Sequence, residues 1–226
     1  MDIVLIAGLW LPAATWDDVI AELDDRGHRG VAVELPGVDD GDPDATLDDQ
    51  LAAVLAAVDG AERPVVVGHS AAATLAWLAA DRRPDDVARV VLIGGFPAGP
   101  GSAYADFLPI ADGVMAFPGW EPFEGPDSDD LDESTRASFE AAAVAVPEGV
   151  ATATVELTDE RRRSVPVTLI CPEFSPDDAR GWIDDGDLPE LAAAEHLDLV
   201  DLDSGHWPQL TRPADLARLL ADAADA

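Results

Sequence analysis

Pro64-Val65-Val66-Val67-Gly68-His69-Ser70-Ala71-Ala72 is the stretch whose reading decides the fold. Three β-branched residues after a proline predict a short buried strand, and the Ala- and Leu-rich run from Ala71 to Ala80 predicts a helix directly behind it. Between them stands a serine whose neighbours are small enough for a sharp turn. A serine hydroxyl is a weak nucleophile until a base takes its proton, so it must stand clear of the backbone at the tip of a tight turn. The amide of Ala71, at the helix start, can then face a developing oxyanion. Gly68 to Ala72 has the form of a nucleophile elbow, G-x-S-x-G with Ala72 in place of the last glycine.

Outward from the elbow, short apolar runs alternate with amphipathic Ala/Leu/Asp segments, which predicts an α/β fold with a mainly parallel sheet flanked by helices. Strands are expected at 2–7, 30–35, 64–69, 89–94, 165–171 and 197–202. Helices are expected near 13–26, 45–59, 71–81, 176–184, 187–194 and 213–224. Several open at Asp, Thr or Pro, with Thr46 a candidate N-cap and Pro213 suited to a first helical turn. The alternation breaks once, between Gly94 and Val165. This excursion of about 70 residues holds an acidic run at Asp127 to Glu133 and a helical pattern near Ser134 to Val146. An insertion at the carboxyl ends of parallel strands sits over the ligand crevice, so residues 96–164 are expected to form a lid on a single domain spanning 1–226. Its Phe96, Tyr104, Phe107, Leu108, Met115, Phe117, Trp120 and Phe123 are candidates either for a substrate pocket or for packing the lid onto the sheet.

Composition sets further bounds. The chain has 226 residues, 46 Asp and Glu, 13 basic residues that are all Arg, and a formal net charge of −33. So acidic a surface repels phosphate backbones and anionic lipid, which argues against nucleic-acid and membrane-surface partners and favours solubility, including in a salty cytoplasm. Cys171 is alone, so no intrachain disulfide can form. Met1-Asp2 leads into the first strand with no basic segment before it, and no apolar run approaches 18 residues, so a cytoplasmic location is expected.

A nucleophilic serine needs an imidazole. Of the four histidines, His28 lies in a helix-to-strand turn, His69 is the variable position of the elbow, and His196 is at the end of an Ala-rich helix. His206, in Ser204-Gly205-His206-Trp207-Pro208, follows the last strand, where a carboxyl-end loop would deliver it beside Ser70; it is the expected base. The loop after the first strand, Ala7-Gly8-Leu9-Trp10, is placed to give a second oxyanion donor from the amide of Leu9. The side chains of Trp10, His69, Phe96 and Trp207 are expected around the substrate, and neither a metal nor a cofactor is called for.

Together these residues resemble the α/β-hydrolase superfamily over nearly the whole chain, and more closely its branch of plant methylesterases and hydroxynitrile lyases. Gly8-Leu9 followed by Trp16 resembles that branch's H-G-A with a later Trp, although Ala7 stands where its His is usual. Gly27-His28-Arg29, Leu35-Pro36-Gly37 and Ile93-Gly94-Gly95-Phe96-Pro97 resemble further motifs of the branch. Ile170-Cys171-Pro172-Glu173, with Trp182-Ile183 downstream, resembles its acid loop and the helix after it. The resemblance implies an α/β-hydrolase fold, small ester substrates and acyl transfer through a triad.

It also implies an Asp at position 174 or 175, where this chain has Phe174 and Ser175. Loss of that carboxylate typically costs around 10⁴ in turnover. Glu173 is the expected substitute, Asp177 or Asp178 the alternatives, and a site with no such acid the third possibility; Gly94 and Gly95 rule out an acid from the preceding strand. The same scaffold carries other functions: a cyanohydrin lyase, which in this branch has Lys after the histidine where Trp207 stands here, a cofactor-free oxygenase, or a non-catalytic ligand-binding module.

Overall fold

A computed structural model describes residues 1–226. Six strands form one sheet in the order β2-β1-β3-β4-β7-β8: β1 (Asp2–Ile6), β2 (Arg29–Ala32), β3 (Val65–His69), β4 (Arg89–Ile93), β7 (Val167–Cys171) and β8 (Leu197–Asp201). Every pairing in it is parallel. β5 (Val114–Met115) and β6 (Val146–Pro147) make a separate antiparallel pair. The helices are α1 (Asp17–Asp25), α2 (Leu47–Asp59), α3 (Ala73–Arg82), α4 (Glu133–Ala142), α5 (Glu148–Ala151), α6 (Pro176–Asp185), α7 (Pro189–Ala192), α8 (Pro208–Thr211) and α9 (Pro213–Ala224). A parallel sheet covered on both faces needs continuous apolar strands rather than alternating ones. The strands β1, β3, β4 and β7 have that character, with Ile3 to Ile6, Val65 to His69, Val90 to Ile93 and Val167 to Cys171 all buried.

The elements depart from the sequence reading in several places. The second strand ends at Ala32 rather than 35, because the Leu35 amide donates to Asp39 Oδ2 at 2.8 Å and the chain leaves the ladder for the turn at Pro36-Gly37. The helix expected from 13 begins as a 3₁₀ turn, Ala13–Trp16, before α1. The helix expected at 187–194 contracts to the single turn α7, whose Glu190 is buried.

Glu190 is buried because it completes an ion network. Its Oε2 accepts from Arg162 Nε and Nη2 at 3.0 and 2.9 Å and from Trp77 Nε1 at 2.9 Å, while Arg162 Nη1 reaches Asp81 Oδ1 at 3.3 Å. Asp81 also accepts from the amides of Thr158 and Asp159 at 2.9 Å. α3 is thereby fastened to the segment that leads from the excursion into β7. Removing one partner of such a buried set leaves an uncompensated charge and typically costs about 3–5 kcal/mol.

The excursion from Gly95 to Pro166 holds β5, α4, β6 and α5. α4 is capped by Asp132, whose carboxylate accepts from the Thr135 amide at 2.8 Å. It ends at Ala142, short of the expected 146, since the Val144 amide donates to the Trp10 carbonyl at 2.9 Å. Trp10 is tied again by its indole, which donates to the Met115 carbonyl at 3.2 Å. The excursion therefore packs on the loops at the carboxyl ends of β1 and β8, above Ser70. No helix of the chain is long and apolar enough to cross a membrane.

Candidate active site

Ser70 follows the last residue of β3 with φ of 55°, in the left-handed region that non-glycine residues avoid. The strain is held by close packing. A Cβ on Gly68 would fall on the Ala72 carbonyl and one on Gly95 on the Ser70 carbonyl, so the turn closes only because both are glycine. Trp10, with φ of 67°, is a second strained residue beside the site. Such outliers persist only where the surroundings over-determine them.

His206 lies between Ser70 and Glu173. Its Nε2 is 2.9 Å from Ser70 Oγ and its Nδ1 is 2.6 Å from Glu173 Oε1. A carboxylate only accepts, so Nδ1 carries the proton and Nε2 accepts from the serine hydroxyl. The two side chains are only 14% and 13% exposed, which keeps the pair largely out of water. Glu173 follows β7 through Pro172, and its Oε2 is buried without a hydrogen-bond partner, facing Gly94. A Cβ on Gly94 would come within 3.1 Å of Oε2 and 3.2 Å of His206 Nδ1. The bare backbone there makes room for a carboxylate one methylene longer than Asp.

The residues after Glu173 explain the rest of the acid question. Ser175 is the N-cap of α6: its hydroxyl accepts from the Asp178 amide at 3.2 Å, and the Asp178 carboxylate takes the Ser175 amide at 3.0 Å. Asp177 is thus fixed in an exposed first helical turn, and the ring nitrogens of His206 are bonded to Glu173 and Ser70 instead. Phe174 turns the other way, onto Phe96 and Trp182 at centroid distances of 5.4 and 5.1 Å.

His69 sits 5.1 Å from His206, ring to ring, but does other work. It is fully buried; its Nε2 donates to the His206 carbonyl at 2.7 Å and its Nδ1 accepts from Gln209 at 3.4 Å. Burial, reinforced by the charge His206 takes when protonated, pushes the His69 imidazole down to about 3 against the opposing bond to that carbonyl. His28 lies away from the site, 3.7 Å from Asp225, and His196 is exposed. Cys171 is no rival nucleophile, since burial foremost, with the nearby carboxylates, pushes its thiol up to about 12.

The amide of Leu9 makes no backbone hydrogen bond, and that of Ala71 lies in the first turn after β3, ahead of the helical bonding. Both border Ser70. A small pocket of about 40 Å³ opens there, lined by Leu9, Trp10, His69, Ser70, Phe107, Phe123, His206 and Trp207. Three of the four expected pocket residues are present. Phe96 is the exception, because Phe174 and Trp182 hold its ring at 5.4 and 5.8 Å. Phe107 and Phe123 complete the wall, and sequence alone did not separate them from the other aromatics of the excursion. Trp207 is the centre of an aromatic cluster, 5.3–5.4 Å from Trp120, Phe123 and Phe139. Asp127 lies nearby; burial raises its carboxyl, His206 pulling it down and Glu173 pushing it further up. No group of three or more His, Cys, Asp or Glu is arranged to hold a metal.

A search of curated protein sequences gives no match. Solved structures similar to this chain include an extracellular α/β-hydrolase from a Paenibacillus species, described as sharing structural and functional homology with tobacco salicylic acid binding protein 2. It is 18% identical, with all of both chains covered and a TM-score of 0.83. A pyrethroid hydrolase from Sphingobium faniae is 23% identical over 100% of this chain and 98% of its own, at a TM-score of 0.70. Tomato methylketone synthase I is 16% identical over 99% and 97%, at 0.72. The sequence itself matches the family described as alpha/beta hydrolase over residues 3–219, from the first strand into α9, and the chain belongs to that family.

Proposed function

We propose that the protein is a carboxylic-ester hydrolase that works through an acyl-enzyme on Ser70. The observation that carries the reading is the hydrogen-bonded line from Glu173 Oε1 through His206 to Ser70 Oγ. As Oγ bonds to the ester carbonyl carbon, its proton passes to Nε2, and Glu173 stabilises the imidazolium that forms. The carbonyl oxygen becomes an oxyanion held by the amides of Leu9 and Ala71. Collapse breaks the bond to the alcohol oxygen, which leaves with the proton from Nε2. Water, deprotonated in turn by His206, attacks the acyl-serine and releases the acid. His69, held neutral, adds no charge to this relay.

The pocket favours a small apolar group next to the ester, because its walls beyond the reacting residues are Leu9, Trp10, Phe107, Phe123 and Trp207. Among the similar structures, a pyrethroid hydrolase and a polyneuridine aldehyde esterase lend support to ester substrates. The excursion acts as the lid on this reading, since it provides Phe107 and Phe123. A serine-directed fluorophosphonate should add one label, on Ser70, and p-nitrophenyl acetate should be turned over by the wild type and not by Ser70→Ala. Labelling that persists in Ser70→Ala, or turnover that survives it, removes the proposal.

A further inference from the structure

We propose that the Asp127–Asp130 turn of the excursion positions His206, with the Asp130 carboxylate as the decisive acceptor. Two successive amides of the histidine loop end on this one turn. Gly205 N–H donates to Asp130 Oδ2 at 2.9 Å, and His206 N–H donates to the Asp127 carbonyl at 2.7 Å. The carbonyl of His206 is held from the opposite side by His69 Nε2 at 2.7 Å. The backbone is therefore fixed on both sides of the imidazole, by the excursion on one side and by the elbow on the other. Gly205 has no alternative, for a Cβ there would fall on Asp130 Oδ1 and on the Asp127 carbonyl.

The turn is rigid enough to serve as an anchor. The amides of Ser128 and Asp129 both donate to the Gly125 carbonyl, at 3.0 and 2.9 Å. Ser128 is fully buried; its hydroxyl donates to the Phe123 carbonyl at 2.7 Å and accepts from Arg136 Nη2 at 2.9 Å. The same guanidinium nitrogen donates to the Ser128 carbonyl at 2.6 Å, and the guanidinium lies over the Trp120 ring at 5.2 Å. A contiguous chain of bonds thus runs from α4 through the turn to the backbone of His206. Asp130 is exposed, so its charge costs little to keep, yet it accepts from a buried amide, and an ionised acceptor makes the stronger bond. Among so many carboxylates, that bond separates it from ordinary surface charge. Seating of the excursion and placement of the imidazole become one event, so His206 is aligned only when the excursion is in place.

The consequence for turnover rests on the proposed role of His206; the clasp itself does not. The experiment compares wild type, Asp130→Asn and Asp130→Ala by kcat and KM on p-nitrophenyl acetate. It also follows the low-field proton resonance of the Nδ1–H bonded to Glu173, identified by its loss in His206→Ala. Asp130→Ala should lower kcat about tenfold or more, change KM little and broaden the resonance, because a bond to a charged acceptor is lost. Asp130→Asn, whose amide oxygen can accept the same N–H, should recover most of both signals. The proposal is overturned if Asp130→Ala matches the wild type in kcat and resonance, or if Asp130→Asn is as impaired as Asp130→Ala. Should Asp130→Ala melt below assay temperature, Arg136→Gln loosens the same turn from α4 and must show the same pattern in smaller degree; an unchanged resonance there also overturns it. If instead Ser70→Ala keeps its esterase turnover, the hydrolase reading falls while the resonance still reports on the clasp.

Discussion

Two imidazoles 5.1 Å apart, on the elbow and on the loop after the last strand, have opposite surroundings. His69 is fully buried, bonds to a backbone carbonyl and a glutamine, and is pushed down to about 3. His206 is partly accessible and spans a hydroxyl and a carboxylate. What sets the two rings apart is therefore their burial together with the partners at their nitrogens, rather than distance from the serine. Burial of the His69 ring in an apolar setting disfavours its charged form, against the opposing bond to the His206 carbonyl.

The largest effect should come from removing the proposed proton carrier, His206. His206→Ala should leave the fold intact and lower acylation by several powers of ten, measured as the rate of fluorophosphonate labelling of Ser70. His69→Gln should lower that rate far less, since its amide can donate to the same carbonyl. Equal losses in the two variants would break the contrast between the imidazoles.

Next in size is the acid. Glu173→Gln replaces an ionised acceptor with a neutral amide and should lower kcat by about 10²–10⁴ without unfolding. Asp177→Asn should be nearly silent, because Asp177 is fixed in the exposed first turn of α6. An active Glu173→Gln enzyme would leave Ser70 and His206 working as a pair.

How far these placements were legible in the sequence follows the range of the interactions. The placement of Ser70 beside His206 was legible because a strand-turn-helix and a loop after the last strand are local patterns that the parallel sheet then brings together. Glu173 was legible only among alternatives. Its position depends on Gly94 leaving space and on Ser175 capping α6, and neither shows in a count of carboxylates. Phe96 was misplaced because its partner rings, Phe174 and Trp182, lie some 80 residues away along the chain. The hold of Asp130 on Gly205 crosses 75 positions and was invisible in a chain with 46 acidic residues.

A smaller effect tests the buried ring. His69 has an ordinary value near 6.5 when unfolded and about 3 when folded, so only well above that ordinary value do both states bind equal protons, namely none. As pH falls below about 6.5 the unfolded chain takes up a proton that the folded protein refuses. This group then lowers stability by up to about 1.4 kcal/mol per pH unit until pH nears 3. Denaturant melts at pH 7 and 5 should show wild type losing more stability than His69→Gln over that interval. If the two lose equally, His69 is not held neutral by the fold.

The smallest effect separates the site from the field of the whole molecule. A net charge of −33 sets up a repulsive potential over the surface, but one that salt screens within about 8 Å at physiological ionic strength. The His206–Glu173 pair, mostly withdrawn from water, is screened much less. Raising KCl from low to molar concentration should therefore raise the melting temperature by relieving self-repulsion, while kcat on a neutral ester stays nearly constant. An ester that carries its own carboxylate meets the field before it meets the site, so its KM should fall several-fold over the same range as the approach is screened. KM values that move together for the neutral and the anionic ester would place the salt effect inside the pocket. A kcat that follows the salt would show that the His206 imidazole is as open to the solvent's ions as the surface around it.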